Sequence, residues 1–245
     1  MRSITDLHCH LLPGLDDGAR NLTESLRMLE MAAASGVGRI VCTPHLRMGD
    51  PLLEEKGEAI RWMVNYVQAA AAREMIPVEA FPGAEVLWGG HSGNLDTLRR
   101  LTLAGSRYLL VEFSFRERLS QIEFAAGQVA NMGLVPVLAH PERYEAVQRD
   151  SHCIAEWFRN GWVIQLDKGS VLGDFGQGAY QVSAWVLEHG FAHVVASDAH
   201  NLLTRTASFA RLEQFLTQRY SLGCAELLLR RNPGRMVEGA GVVKG

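Results

Sequence analysis

The chain is 245 residues long and 47% hydrophobic, with a formal net charge of -3 and a pI near 6.3. That length can bury a full core and fits one domain, 1–245, of the barrel size class. No long Lys/Arg run is present, which argues against a nucleic-acid partner but leaves phosphate chemistry open.

In chain order, Met1–Asp6 lacks the apolar core of a signal peptide, and no apolar run reaches membrane-spanning length. A cytoplasmic protein without membrane insertion is therefore expected. The first predicted strand carries Asp6-Leu7-His8-Cys9-His10. Alternate side chains of a strand share a face, so His8 and His10 are expected to enter one pocket with Leu7 and Cys9 packed behind them. The turn Pro13-Gly14-Leu15-Asp16-Asp17-Gly18 can fold two carboxylates back over that pocket, with Asp17 as a ligand candidate and Asp16 bonding the turn. Asn21-Leu22-Thr23-Glu24 then reads as a capping box, and Leu22, Leu26, Leu29 and Ala33 keep helical spacing until Gly36.

Six further apolar runs read as strands. They are Arg39–Cys42 before Thr43-Pro44-His45, Pro77–Ala80 before Gly83-Ala84-Glu85, and Tyr108–Val111 before Glu112. The remaining three are Leu134–Ala139 before His140-Pro141-Glu142-Arg143, Trp162–Leu166 before Asp167-Lys168-Gly169-Ser170, and His193–Ala196 before Ser197-Asp198-Ala199-His200. Helices are predicted over about 52–74, 95–103, 118–132, 179–189 and 205–219. Seven strands alternating with helices imply an α/β fold with a parallel sheet and crossover helices. Gly239–Gly245 is expected to fray.

His8, His10, His45, Glu85, Glu112, His140, Asp198 and His200 fall at or just beyond the C-terminal ends of six of these seven strands. In a closed parallel barrel those ends share one face, where barrel enzymes build their sites. Taken singly, His45 reads as a loop residue, Glu85 as a solvated turn residue and His140 as a strand end. Their joint placement makes them a site. Five histidines (His8, His10, His45, His140, His200) and four carboxylates (Asp17, Glu85, Glu112, Asp198) are too many for one ion, and suit two or three divalent metals. Mixed imidazole and carboxylate ligation favours Mn, Fe or Zn over Mg or Ca. Three such ions would carry roughly +6 against -4 from the carboxylates, and a bridging hydroxide would leave about +1, with Arg143 alongside. The pocket is suited to a phosphate monoester, with in-line attack by the hydroxide.

The ordered set Asp6-Leu-His-Cys-His, Asp16-Asp-Gly, Thr43-Pro-His, Gly83-Ala-Glu, Val111-Glu-Phe, Ala139-His-Pro-Glu-Arg-Tyr and Ser197-Asp-Ala-His-Asn resembles the polymerase-and-histidinol-phosphatase (PHP) family over nearly the whole chain. The nearest likeness is its bacterial protein-tyrosine-phosphatase branch of capsule and exopolysaccharide loci. The resemblance implies a distorted seven-stranded (β/α)7 barrel, TIM-barrel-like, with a trinuclear metal site, Mn being the first expectation. It implies one metal at His8, His10, Glu85 and Asp198, a second at Glu85, Glu112 and His140, and a third at Asp17, His45 and His200. Arg143 would hold the phosphate through its guanidinium fork, and Arg143, Asp17 and His45 become the catalytic candidates. The implied substrate is phosphotyrosine on a membrane-associated bacterial tyrosine kinase that regulates polysaccharide synthesis, and the implied assembly includes homo-oligomers. Gly169-Ser-Val-Leu-Gly-Asp-Phe-Gly also fits the branch, whereas Asp167-Lys168 stands where a more neutral pair is expected.

Other features read more plainly. His91, His152, His189 and His193 have no motif around them and are taken as surface or helix-end residues, and Glu142 either orients Arg143 or faces water. Trp62, Trp88 and Trp185 are candidates for an interface or for the core. The four cysteines, Cys9, Cys42, Cys153 and Cys224, have no disulfide-framework spacing and point to a reducing compartment. Cys153 to Arg159 and Cys224 to Arg230 match the Cys-x5-Arg pattern of cysteine phosphatases, but both sit in amphipathic helix patterns whose N–H groups are already used. Two alternatives to a tyrosine phosphatase are a histidinol-phosphate phosphatase, against which the acidic turn at Asp16-Asp17 argues, and a non-catalytic metal-stabilised regulatory protein. An exonuclease would need basic grooves and further domains.

Overall fold

The computed structural model describes residues 3–89 and 94–244, so His91 lies outside the described residues. The described strands are β1 (Ile4–Cys9), β2 (Val37–Cys42), β3 (His45–Arg47), β4 (Glu79–Pro82), β5 (Glu85–Leu87), β6 (Tyr108–Glu112), β7 (Val135–Ala139), β8 (Val163–Asp167) and β9 (Val194–Ala196). Between and after them run α1 (Leu22–Ala34), α2 (Leu53–Arg73), α3 (Leu95–Arg100), α4 (Leu119–Asn131), α5 (Glu145–Arg149), α6 (Cys153–Arg159), α7 (Lys168–Leu172), α8 (Gln177–Glu188), α9 (Ala210–Arg219), α10 (Leu222–Glu226) and α11 (Asn232–Val237). Every ladder is parallel, with order β1-β2-β4 in one sheet and β3-β5-β6-β7-β8-β9 in the other. This is the α/β architecture that the alternation predicts.

Two strands exceed the expected seven. His45–Arg47 and Glu85–Leu87 are the additional short strands β3 and β5, separated from β2 and β4 by two residues each. The first break contains Pro44, which has no N–H to give a ladder; its carbonyl still accepts from Glu85 N at 3.2 Å. At the other edge the Cys9–Ala199 bridge joins β1 to the segment after β9. Asp198 N donates to His8 O at 2.9 Å and His10 N to Ala199 O at 2.8 Å.

The buried apolar residues form two clusters. Leu7, Val41, Leu110, Val137, Val163 and Val194, from six different strands, meet on the inner side of the sheets. A larger cluster, including Leu29, Val67, Ile122, Trp157 and Leu216, packs helices against the outer side. Strand alternation carries the inner face forward in β6 and β8: two residues beyond Leu110 stands Glu112, and two and four beyond Val163 stand Gln165 and Asp167. β1 departs from alternation. Its register with β2 shifts between Asp6 and Cys9, so Leu7 joins the inner cluster while Cys9 joins the outer one, and the two do not pack together behind the histidines.

Several smaller expectations are corrected. The helix expected from 205 begins at Ala210, because residues 201–206 form a turn around the Asn201 side chain. The described chain from Gly239 to Lys244 is tied down instead of frayed, Gly245 lying outside the described residues: Val243 N and O both bond the Asn232 side chain, and Tyr108 donates to Ala240 O. His193 is buried, its Nδ1 accepting from Ile164 N at 3.0 Å. At the start of α1, Asn21 Oδ1 accepts from Glu24 N as a cap should, but Glu24 reaches back to Arg20 N instead of closing the box on Asn21. Cys153 and Cys224 both lie on helices, as read from sequence, and all four cysteines are free thiols.

Candidate metal centre

β1 delivers His8 and His10, and Asp6 anchors its bulge. Asp6 Oδ1 accepts from His8 N at 3.3 Å and Ser197 N at 3.0 Å, while Oδ2 accepts from Ser197 Oγ at 2.5 Å. One buried carboxylate thus ties the first histidine pair to the segment that carries Asp198 and His200. The turn that returns Asp16 and Asp17 depends on Gly18, where an added Cβ would stand 2.1 Å from His10 O. His140 and Asp198 both hold left-handed backbone, with φ of 35° and 47°. Non-glycine residues in that region cost on the order of 1–3 kcal/mol each, a strain found most often at functional sites.

The side chains converge into three overlapping groups: His8, His10, Glu85 and Asp198; His10, Asp17, His45 and His200; and His45, Glu85 and Glu112. In the first, His8 Nε2 and His10 Nε2 are 3.1 Å apart. His8 Nε2 lies 3.2 Å from Glu85 Oε2 and 3.3 Å from Asp198 Oδ1, and His10 Nε2 lies 3.4 and 3.3 Å from the same two oxygens. Glu85 Oε2 also lies 2.9 Å from His45 Nδ1, and Glu85 Oε1 3.0 Å from His140 Nε2. Asp17 Oδ1 faces His200 Nε2 at 3.4 Å and His45 Nε2 at 3.6 Å.

All nine ligand candidates therefore meet at one end of the sheets, in groups that differ in part from those the resemblance implies. His45 joins Glu85 and Glu112, and His10 joins the group at Asp17. His140 contacts Glu85 and stands 3.8 Å from Glu112. Most of the set is buried; Asp17 is open to solvent and His45 partly so.

Sequence reasoning missed the residues that aim the ligands. Gln165 Oε1 lies 2.9 Å from His8 Nδ1, and Asp16 Oδ2 lies 2.7 Å from His10 Nδ1. An N–H on each Nδ1 leaves the Nε2 lone pairs facing the carboxylate oxygens. Asp16 bonds the turn through Gly18 N, as expected, but also accepts from His45 N and so holds two ligand candidates. The signal for Gln165 was a polar side chain inside an apolar strand.

These donors fit divalent ions. Glu85 Oε2, Asp198 Oδ1 and His200 Nε2 are buried without a hydrogen bond, although other lone pairs surround them. Lone pairs aimed at lone pairs repel unless protons or cations stand between them. The ionisation pattern has the same cause. Burial disfavours charge on His8, yet Glu85 and Asp198 overcome it and lift the imidazole to about 9. His10 rises likewise against burial, held by Asp16, Asp198 and Glu85. Burial and the neighbouring Glu85 push Glu112 up to about 7, while burial and His10 push His200 down to about 4.

Asp198 links this cluster to two cations. Its Oδ1 faces the histidines, while its Oδ2 accepts from Arg143 at 3.4 Å and from Arg205. Arg143 is clamped between Phe115 and Phe175, with ring centroids 4.6 and 4.5 Å from its guanidinium carbon. Arg205 carried no motif and was missed. Glu142 neither faces water nor bonds Arg143; it is buried and accepts from Asp167 N at 3.0 Å. Asp167 and Lys168, the pair that stands where a more neutral one is expected, are also buried. Asp167 caps Gly169 N and stands 3.7 Å from Arg143, while Lys168 donates to the carbonyls of Thr206 and Ser208.

Residues 4–238 match the model of the family described as capsular polysaccharide synthesis, CpsB/CapC. The chain belongs to the CpsB/CapC family. Tyrosine-protein phosphatase YwqE of Bacillus subtilis is 32% identical to it over 201 residues, covering 82% of this chain and 78% of that protein. Tyrosine-protein phosphatase CpsB of Streptococcus pneumoniae is 29% identical over 243 residues, covering 95% and 97%. A crystal structure from a study of YwqE and CpsB, metal-dependent tyrosine phosphatases, aligns with TM-score 0.88 at 27% identity, covering 99% of this chain and 97% of that one. The CpsB/CapC assignment places the chain in the branch of the PHP family that its motifs resemble.

Proposed function

We propose that this protein is a metal-dependent protein-tyrosine phosphatase that removes phosphate from a bacterial tyrosine kinase regulating capsule or exopolysaccharide synthesis. The observation that carries the reading is Asp198, whose two oxygens join a histidine–carboxylate donor cluster to the guanidinium groups of Arg143 and Arg205. Such a junction of metal donors and fixed cations suits a phosphate monoester. Family membership adds the tyrosyl ester, because the similar YwqE and CpsB proteins are named tyrosine-protein phosphatases.

His8, His10, Glu85 and Asp198 would hold one ion, with Glu85, Glu112, His140 and His45 around a second and Asp17, His200, His45 and His10 around a third. Two to three divalent ions, Mn first with Fe or Zn as alternatives, would supply positive charge for the phosphoryl oxygens and an acidified water as nucleophile. Arg143 and Arg205 bind the remaining phosphoryl oxygens, and the Phe115–Phe175 clamp holds the Arg143 fork in one plane. Asp17 and His45, the more open members, are proposed as catalytic residues on the solvent side. The leaving phenolate has a pKa of about 10 and departs without a strong general acid, so none is assigned.

The same reading takes 1–245 as one domain and counts β2 with β3, and β4 with β5, as interrupted single strands of a seven-stranded distorted barrel. The two-residue gaps and the Cys9–Ala199 bridge support that count. Cytoplasmic action is part of the same proposal, as the setting of a kinase substrate; no helix among the described residues is long and apolar enough to cross a membrane. A homo-oligomer is proposed from the resemblance alone.

The test is phosphate release by purified protein with added Mn, comparing a tyrosine-phosphorylated peptide with histidinol phosphate, with and without chelator. Chelator-sensitive release mainly from the peptide is expected. Release mainly from histidinol phosphate would overturn the substrate, and release from neither would return the regulatory reading.

A further inference from the structure

Beside the metal centre, β3, β5 and β6 continue the site outward by one register step. His45 is paired with Glu85, and of the next same-face residues Arg47 is paired with Leu87, which in turn is paired with Glu112. A hollow of about 440 Å³ opens here, lined by His45, Arg47, Leu87 and Glu112 together with the ion-paired Asp50 and Lys56. A second hollow of about 360 Å³ shares Arg47 and Leu87 as walls and is closed further by Trp88, Phe113, Phe124 and the carboxylate of Glu117. The two hollows adjoin at Arg47 and Leu87 beside the donor cluster, so that these two side chains stand at the middle of one trench-like surface.

Its walls are chemically uneven. The Arg47 side chain is exposed and finds no hydrogen-bond or ion-pair partner among the described residues. Phe124 leaves 62% of its surface open on α4, above the buried Phe113 and Trp88. The wider hollow at Asp17 and His200 also carries two arginines, but Arg20 there is paired with Glu24, and Arg27 stands one helical turn from both Glu24 and Glu30 on α1.

We propose that this trench binds the polypeptide flanking the phosphotyrosine, with an acidic residue at Arg47 and an aromatic or large aliphatic residue beyond it against Phe113 and Phe124. The inference rests on the phosphatase reading and adds a sequence preference to it. An extended chain advances about 3.3 Å per residue, so side chains close to the phosphotyrosine reach both hollows. Unpaired Arg and exposed aromatic residues are the side-chain types that most often anchor a polypeptide partner.

The experiment compares kcat/KM for three substrates: free phosphotyrosine, a phosphopeptide with Glu and Phe on both flanks, and the same peptide with Lys and Ser at those positions. The Mn-loaded wild type, Arg47→Glu and Phe124→Ala are each measured. The wild type is expected to favour the Glu/Phe peptide by roughly tenfold; Arg47→Glu removes that preference and improves the Lys/Ser peptide, and Phe124→Ala weakens the Glu/Phe peptide by about threefold or more. Free phosphotyrosine, too small to enter the trench, serves as the internal standard and stays unchanged. Equal rates for the two peptides in the wild type would overturn the trench, as would an Arg47→Glu loss of equal size on free phosphotyrosine. If the wild type hydrolyses none of the three, the phosphatase reading falls and this inference falls with it.

Discussion

Gln165 Oε1 lies 2.9 Å from Nδ1 of His8, a buried contact across 157 positions of sequence. It selects which ring nitrogen of His8 carries the proton, and so which lone pair faces Glu85 and Asp198. Replacing Gln165 with Leu keeps the bulk and removes the acceptor. Metal affinity is expected to fall about 10- to 100-fold with the fold retained. Metal content after dialysis against graded chelator, with a circular dichroism spectrum alongside, checks both halves.

Arg143 is held by two aromatic rings and touches the metal cluster only through the outer oxygen of Asp198. Arg143→Ala is expected to raise KM for a phosphotyrosine peptide about tenfold or more while leaving metal content unchanged. Arg143→Lys should recover little, since a point charge cannot reproduce the planar fork between the rings. Loss of metal in either variant would make Arg143 a structural residue instead.

In the metal-free protein, protons stand where cations would otherwise screen the carboxylates. His8 is lifted from 6.5 to about 9, so its charged form stabilises the fold fully below 6.5 and that contribution is lost as pH rises through 9. Glu112, held up at about 7 from 4.5, loses stability in the same direction across its own window. His200, pushed down from 6.5 to about 4, works the opposite way, its cost easing as pH rises through that interval. From pH 6.5 to 9 His8 alone contributes a loss of about 3 kcal/mol, and His10 and His45, raised by the same carboxylates, act in the same direction. The melting temperature of metal-free protein is expected to drop by roughly 5–10 °C over that range and to hold nearly level with Mn present. Calorimetry at both pH values, with and without Mn, separates the two cases; parallel curves would remove the proton-for-metal exchange.

A methyl group at Gly18 would stand 2.1 Å from His10 O and 2.5 Å from His10 Cβ, at the buried residue that directly follows β1. Gly18→Ala is expected to cost about 1–3 kcal/mol and to weaken metal binding through the displaced Asp16 and His10. A melting curve and a metal titration of the variant report the two effects separately. An unchanged curve would mean that the turn moves freely.

Much of the site was legible because strand ends and ligand chemistry both leave local marks. His8, His45, Glu85, Glu112, His140 and Asp198 each follow an apolar run, and a parallel α/β fold gathers such ends on one face. The short strands at His45 and Glu85 were less legible, since three residues after a Pro or Gly carry no periodicity of their own. Burial of His193 and the docking of the tail on Asn232 depend on partners far along the chain, and no neighbouring residue announces them.

The sequence by itself determined the parallel α/β class, the identity of the ligand candidates and the helical nature of both Cys-x5-Arg segments, because periodicity and side-chain chemistry are local properties. Only the tertiary structure decided how the ligands are shared among three groups, that Gln165 and Asp16 orient His8 and His10, and that Arg205 joins Arg143 on Asp198. Those relations are distances of about 3 Å between residues as far apart in the sequence as His8 and Asp198. They are set by sheet register and by a bulge in β1, which no short stretch of sequence encodes.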